Sequence, residues 1–549
     1  MSCETSFVRV RLIATVVLLV IGDAAPLQCF ARQHEPAPAA IEQFSIGQAA
    51  IKRNDATTAA EAFRKAIDLD PAYFEAHFQY IRARYLGKTG AQFAEVTAAL
   101  TSMYQRWAAE HPESALYAWA LGYINQNDAE LATRYYQQAI QLDPQFAEAY
   151  ADLAFIKGMQ GDKPGELAAY KQAAEVGSDP GYLASYFYAL VTADPKAADD
   201  LVQREFKKKY PKSDWTAMVM VSMAQQVPLE QRRARLEEVK AMFPPAEFEH
   251  SASAMRTLYQ DYLLQDPEKA LSLAKEMLQV KPWKEDPKRQ EMWSAFESAA
   301  SSIVDVRWLI AAKQFSRAVE ILNTIKLSIY PTSENPLPLL LAECEDGMGE
   351  AKTAYDRIVH AFATKPTEVL QKAALAYGAK LGKSNKDVDR DAWQIVEAQA
   401  QPAPDFTLPR YGEQKEVRLS DYRGHVVLLD FWFPGCGPCR GQFPFLEQVF
   451  NKYSPSGRFQ YFGVNVSPEE DSSVLPFVSA LRYHFTPLKA DRTFAREKYK
   501  AVSFPTTFLI DAKGEIIARV MARTAETEKT LEMQVKLALA HAGVIEKKP

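Results

Sequence analysis

Cys436-Gly437-Pro438-Cys439 is the constellation in this chain whose residue types and spacing can do chemistry. Two thiols separated by two residues can close to a disulfide and open again, so the pair can carry two electrons. Directly upstream lies Val426–Phe433, an apolar run of strand length, and directly downstream Arg440–Phe450 places apolar residues at helical spacing. A strand that ends in such a turn and leads into a helix puts the first sulfur at a helix N-terminus. Unpaired amide N–H groups and the helix dipole there favour the thiolate of Cys436. Cys439, one turn further in, is placed to attack a mixed disulfide formed by the first sulfur.

The rest of the cysteine inventory narrows the chemistry. Only Cys3, Cys29 and Cys344 accompany the pair, far too few for a disulfide scaffold. A zinc knuckle would need two further ligands. There is no second Cys-x-x-Cys, and neither His425 nor His484 stands at a ligand spacing. No metal or organic cofactor is implied, because the cysteine pair is itself the redox centre. Cys344, inside the helical run Leu339–Glu345, reads as a small buried hydrophobe, with a third redox thiol as the alternative.

A chain of 549 residues exceeds what one core usually supports, so several domains are expected. Hydrophobic and charged contents of 48% and 24% are those of an ordinary folded protein. A net charge of −5 is small for this length and gives no footing for nucleic acid. The Lys207-Lys208-Lys209 run falls in a mixed-charge helical stretch and reads as a solvated face. Residues 1–31 read as a secretory signal: Arg9 and Arg11 form a basic end, Leu12–Ile21 a short apolar run, and Gly22-Asp23-Ala24 and Cys29-Phe30-Ala31 two candidate cleavage sites. The expected location is extracytoplasmic, in a periplasm where there is one, with an uncleaved anchor as the alternative.

The stretch 40–380 is helical and repetitive. Prolines at 71, 112, 144, 180, 211, 244 and 282 recur at intervals of 31 to 41 residues. Gly47, Ala59, Phe63, Ala66 and Pro71 form one small-small-large-small-proline unit, and Trp119, Tyr123, Ala132, Tyr136, Ala139 and Pro144 form another. Ala270, Ala274 and Pro282, then Ala354, Ile358, Ala361 and Pro366, repeat the second half of the pattern. Small residues let two helices approach, the large one fills the gap, and proline ends the second helix. This resembles the tetratricopeptide repeat, two units well and the others in degenerate form. The resemblance implies an all-α solenoid that binds partner proteins.

Residues 381–401, ending in Gln399-Ala400-Gln401-Pro402-Ala403-Pro404, read as a linker. Beyond it, over 402–549, short apolar runs at Val426–Phe433, Phe459–Val466, Thr507–Ile510 and Ile516–Val520 alternate with helical stretches, the pattern of a compact α/β domain. Ala403-Pro404-Asp405-Phe406-Thr407-Leu408, Leu419-Ser420-Asp421-Tyr422-Arg423-Gly424, the strand ending in Cys-Gly-Pro-Cys, and Val502-Ser503-Phe504-Pro505-Thr506-Thr507 together resemble the thioredoxin superfamily. The nearest branch is the exported thiol–disulfide oxidoreductases of the TlpA/ResA kind, related to the AhpC/TSA-redoxin group. The fold class is therefore multidomain: a tetratricopeptide-like solenoid followed by a thioredoxin-fold domain.

That resemblance carries roles with it. It implies a cis Phe504–Pro505 bond, with Phe504, Pro505, Gly437 and Pro438 forming the surface that receives a client. It makes Cys436 the exposed nucleophile, Cys439 the resolving thiol, and Asp430 a buried acid that exchanges a proton with Cys439 through water, the alternative being a hydrogen-bonded structural aspartate. The implied partners are client proteins with disulfides and a membrane thiol donor that returns electrons. Three departures stand out. Gly435 replaces a tryptophan, which suggests an open, flexible rim. Gln442 stands where some members carry an acid, and Phe459–Val466 offers no lysine to Asp430. Two rival functions stand beside this one. A peroxiredoxin would use Pro-x-x-x-Thr-x-x-Cys, but from Pro434 those positions hold Pro438 and Gly441. A redox-inactive tetratricopeptide scaffold or chaperone differs in not needing the two sulfurs.

Overall fold

The computed structural model describes residues 35–88, 90–280, 286–327, 335–520 and 525–543. The expected leader at 1–31 lies outside the described residues. Among these, every regular element between Pro38 and Gln399 is helical. The helices pair as the small–large pattern requires. A Cβ on Gly47 would lie 2.5 Å from the Phe63 ring, and one on Gly122 would lie 2.7 Å from the Tyr136 ring. Glycine at these positions is thus demanded by close helix approach. Ala59, Ala66, Ala132 and Ala139 are fully buried at the same crossings.

Aspartates start the second helices. Asp55 accepts a hydrogen bond from the Thr58 amide, Asp128 from Leu131, Asp162 from Gly165 and Asp266 from Lys269. Each cap contributes about 1 kcal/mol. Pro71 and Pro144 follow Asp70 and Asp143, whose extended backbones close the second helix. Burial weighs more than caps. Trp119, Tyr136, Phe63 and Phe146 are buried in one continuous apolar core running from Ala40 to Met159, and each such side chain contributes roughly 1.5–3 kcal/mol. A second core runs from Ala224 to Cys344 and a third from Ala342 to Ala392.

The stretch 181–250, where proline spacing is the main sequence signal, is helical too and includes a π-turn at Val202–Phe206. A buried bidentate pair links Arg232 to Asp261 at 2.6 and 2.7 Å. In the lysine run, Lys207 pairs with Glu238 and Lys209 with Glu205. Residues 381–401 depart from the linker expectation. They hold the helix Asn385–Gln399, opened by a capping box at Ser384 and Asp387, with Val388 and Ala392 buried in the third core. Its polar, linker-like residues lie on the exposed face.

The C-terminal region is built on eight strands: β1 (Gln401–Pro402), β2 (Thr407–Pro409), β3 (Glu416–Arg418), β4 (Val426–Trp432), β5 (Phe459–Asn465), β6 (Thr486–Lys489), β7 (Thr506–Ile510) and β8 (Glu515–Val520). Its helices are α1 (Gly437–Tyr453), α2 (Asp471–Leu481), α3 (Arg492–Tyr499) and α4 (Ala525–His541). Six strands form one sheet in the order β1-β8-β7-β4-β5-β6. β4 runs parallel to β5 and antiparallel to β7. Every residue of β4 is buried, which is why this central strand reads as an apolar run rather than an alternation. Asp430 is the exception in type. It lies opposite Thr507 on β7 and Gly463 on β5.

By contacts the chain divides into two compact units. One comprises the described residues up to Ala198 together with Phe433–Gly437 and Ser467–Tyr483; the other comprises Asp199–Trp432, Pro438–Val466 and the residues from His484 on. Within the second, helix Asn385–Gln399 is tied to the sheet domain: Lys513 pairs with Glu397 at 2.6 Å, and the His541 ring stacks on Trp393 at 4.8 Å.

Candidate active site

The site begins where β4 ends. The chain leaves Trp432, turns through Phe433-Pro434-Gly435, and enters α1 at Gly437. The Cys436 amide closes this turn on the Phe433 carbonyl at 3.0 Å. Cys436 and Cys439 are joined as a disulfide. Cys436 is the more open sulfur-bearing residue but only 5% exposed, and Cys439 is fully buried. The expectation of an exposed Cys436 is therefore corrected: the loop that carries it is covered, in part by the Glu470 side chain. Gly437 is buried and Pro438 half-buried at the helix start.

Gly435 is also not the loose rim expected of it. Glu470 reaches over from the segment after β5 and accepts a hydrogen bond from the Gly435 amide at 2.6 Å. The small residue gives the carboxylate room, and the carboxylate holds the backbone.

Asp430, on β4, is fully buried. Its Oδ1 accepts hydrogen bonds from Thr507 Oγ1 at 2.7 Å and from Gln442 Nε2 at 2.9 Å. Oδ2 has no partner among the described residues. Burial pushes the carboxyl up to about 7, with the Thr507 and Gln442 hydrogen bonds pulling the other way. Both partners are neutral, so no cation offsets the loss of water. Gln442 and Cys439 are three residues apart on α1 and so share a face. The geometry therefore brings the buried acid under the resolving cysteine's side of the helix. Sequence reasoning named Asp430 but missed Thr507, and it read Gln442 as a lost acid rather than as the donor that holds Asp430.

Phe504 and Pro505 are both buried, and the bond between them is cis. Thr506 Oγ1 donates to the Ser503 carbonyl at 2.6 Å, closing the loop on itself. At its tip Val502 is 73% exposed, an apolar side chain that sequence reasoning did not single out.

His425 precedes β4, at the opposite end of that strand from the cysteines, and His484 is bonded to Glu447. Among the described residues no group of three or more His, Cys, Asp or Glu could hold a metal ion. Cys344 is a free, fully buried thiol, and burial helped by Glu343 and Glu345 pushes it up to about 11.

Comparison with known proteins agrees with the two-part architecture. Residues 400–519 match the AhpC/TSA family, and residues 43–73 and 114–146 match the tetratricopeptide repeat. These are the two units whose residues carry that pattern most clearly. The chain is 32% identical over 140 residues to the thioredoxin-like protein YneN of Bacillus subtilis, spanning 25% of this chain and 79% of that protein. It is 38% identical over 115 residues to the thiol-disulfide oxidoreductase ResA of Geobacillus kaustophilus, spanning 21% of this chain and 64% of that one. Among solved structures, the thioredoxin domain of a thiol-disulfide oxidoreductase from Bacteroides vulgatus matches at 28% identity with a TM-score of 0.22, covering 25% of this chain and 96% of that one.

Proposed function

Since the chain belongs, through its C-terminal domain, to the thioredoxin-like thiol–disulfide oxidoreductases, we propose that it reduces disulfides of client proteins through Cys436 and Cys439 outside the cytosol, with the helical repeats recruiting its partners. The observation that carries this reading is the Cys436–Cys439 disulfide at the start of α1, which follows a central strand carrying a buried carboxyl whose proton affinity lies near neutrality.

The steps are those of dithiol–disulfide exchange. In the dithiol form the Cys436 thiolate attacks one sulfur of a client disulfide. A mixed disulfide forms, and the expelled client thiolate takes a proton from water. Cys439 then loses its proton and attacks the Cys436 sulfur, releasing the second client thiolate. The second thiolate takes a proton from water like the first, so the client gains two electrons and two protons, and Cys436–Cys439 is left oxidised. We assign the Cys439 proton to Asp430, because a buried carboxyl near 7 can both take and give one at neutral pH. On this reading Gly437 and Pro438, between the two cysteines, and the cis Phe504–Pro505 pair receive the client, as the family resemblance implies. A membrane thiol donor restores the dithiol, since exported thiols otherwise drift to the oxidised state.

Export rests on the basic and apolar residues of 1–31. No helix among the described residues is long and apolar enough to cross a membrane. The cysteine series tests the function. With a disulfide-bonded peptide as client, Cys436→Ser should abolish reduction, while Cys439→Ser should form a mixed disulfide that persists on a non-reducing gel. Full cellular activity in the Cys436→Ser/Cys439→Ser double variant would instead make the protein a binding scaffold.

A further inference from the structure

The turn that carries the nucleophile is held by a side chain from a separate segment. Glu470 ends the 3-10 turn Pro468–Glu470 and leads into α2. Its own amide bonds the Ser467 carbonyl at 2.9 Å, and Ser467 Oγ, on a fully buried residue, donates to Glu470 Oε1 at 3.5 Å. So braced, Oε2 accepts the Gly435 N–H at 2.6 Å, one residue before Cys436. A Cβ on Gly435 would lie 3.0 Å from Glu470 Oε2 and 3.1 Å from Oε1. A side chain at 435 would press on this carboxylate, which would have to give by a few tenths of an ångström.

Two physical consequences follow. A hydrogen bond from an amide to a carboxylate is charge-assisted and fixes the backbone that presents Cys436. The same negative charge opposes a second one forming on the Cys436 sulfur, so it works against the helix N-terminus that favours the thiolate. Resting on the reading of Cys436 as the attacking thiol, we propose that Glu470 is a positioning residue that holds the Phe433–Gly437 turn and, by its charge, keeps the cysteine pair strongly reducing. A site that stabilises its thiolate less gives up electrons more readily, because the reduced form is then the less favoured one.

The test uses the full chain and four variants. Glu470→Gln keeps an oxygen for the Gly435 amide and removes the charge; Glu470→Ala removes both. Glu469→Gln, at an exposed neighbouring acid, is the control. Equilibration with glutathione buffers, read by thiol trapping, should move Glu470→Gln and Glu470→Ala toward the dithiol by about three- to tenfold, the effect of one nearby charge on a thiol. For a two-electron couple this is about 15–30 mV toward a more oxidising pair. Alkylation of Cys436 at pH 7 should quicken to a similar degree. Client reduction should fall further in Glu470→Ala than in Glu470→Gln, because only the latter still holds the turn. Glutathione equilibria of both Glu470 variants matching the wild type, or a Glu469→Gln shift as large as theirs, would overturn the inference. The fourth variant, Cys436→Ser, separates the two levels. If it still reduces client, the redox reading itself fails and this inference with it. If it is inactive while the Glu470 variants keep the wild-type potential, only the role given to Glu470 fails.

Discussion

Replacing Asp430 by asparagine isolates the one ionisable side chain in the central strand. A carboxyl with an ordinary value of 3.8 is pushed up to about 7 here, chiefly by burial. The gap of about 3, at 1.36 kcal/mol for each tenfold in proton affinity, corresponds to about 4 kcal/mol. The sign follows from proton counting. Between pH 4 and 7 the folded state holds a proton that the unfolded chain has released, so stability falls as pH rises through this window and levels off above it. The stabilising neutral form is fully present below pH 4. Asparagine keeps an oxygen for Thr507 and Gln442 but does not titrate. The difference in stability between wild type and Asp430→Asn should therefore change by about 4 kcal/mol from pH 4 to pH 8, in favour of the variant at the alkaline end. Hydrogen exchange of β4 amides in the oxidised protein, followed by mass spectrometry on the peptide spanning Val426–Trp432 and corrected for intrinsic rates, reads this locally. A difference that stays flat across the range would refute the argument that burial governs Asp430. In single-turnover reduction of a client the same variant should slow the Cys439 step by ~100-fold, the lower end for a positioned acid–base group. Mixed disulfide should accumulate as a result.

Other expectations concern the rest of the chain. Arg232→Met leaves Asp261 buried beside a neutral partner and should cost about 3–5 kcal/mol, recovered in large part by adding Asp261→Leu; chemical denaturation of the three proteins checks this. Gly122→Ala forces a methyl to within 2.7 Å of the Tyr136 ring and should destabilise the first unit by about 1–3 kcal/mol, seen as a lowered melting transition. Cys344, with its thiol pushed up to about 11, should resist iodoacetamide at pH 8 in the folded protein while Cys436 reacts after reduction; peptide mapping distinguishes them.

The particular residues show what a linear reading reaches. The Gly47–Pro71 and Trp119–Pro144 units were legible because a helix pair repeats its small and large residues at short, regular offsets. Where those residues drift, as in 181–250, only the proline rhythm survives although the helices persist. Helix Asn385–Gln399 was hidden because a stretch rich in Gln, Asp and Ala reads as a linker unless its narrow apolar face, Val388, Ala392 and Trp393, is known to meet a neighbour. The Cys-x-x-Cys turn was plain because strand, turn and helix follow one another within some 25 residues.

Order along the chain thus determined the two architectures and the place of the dithiol, since these depend on local periodicity and on residues three apart. Tertiary structure decided how that dithiol is dressed. Thr507 meets Asp430 across 77 residues, and Glu470 meets Gly435 across 35. Proton affinity and backbone restraint at a buried site depend on which groups replace water there. Those groups are assembled by the sheet and its crossings, from segments whose spacing along the chain carries no sign that they will touch.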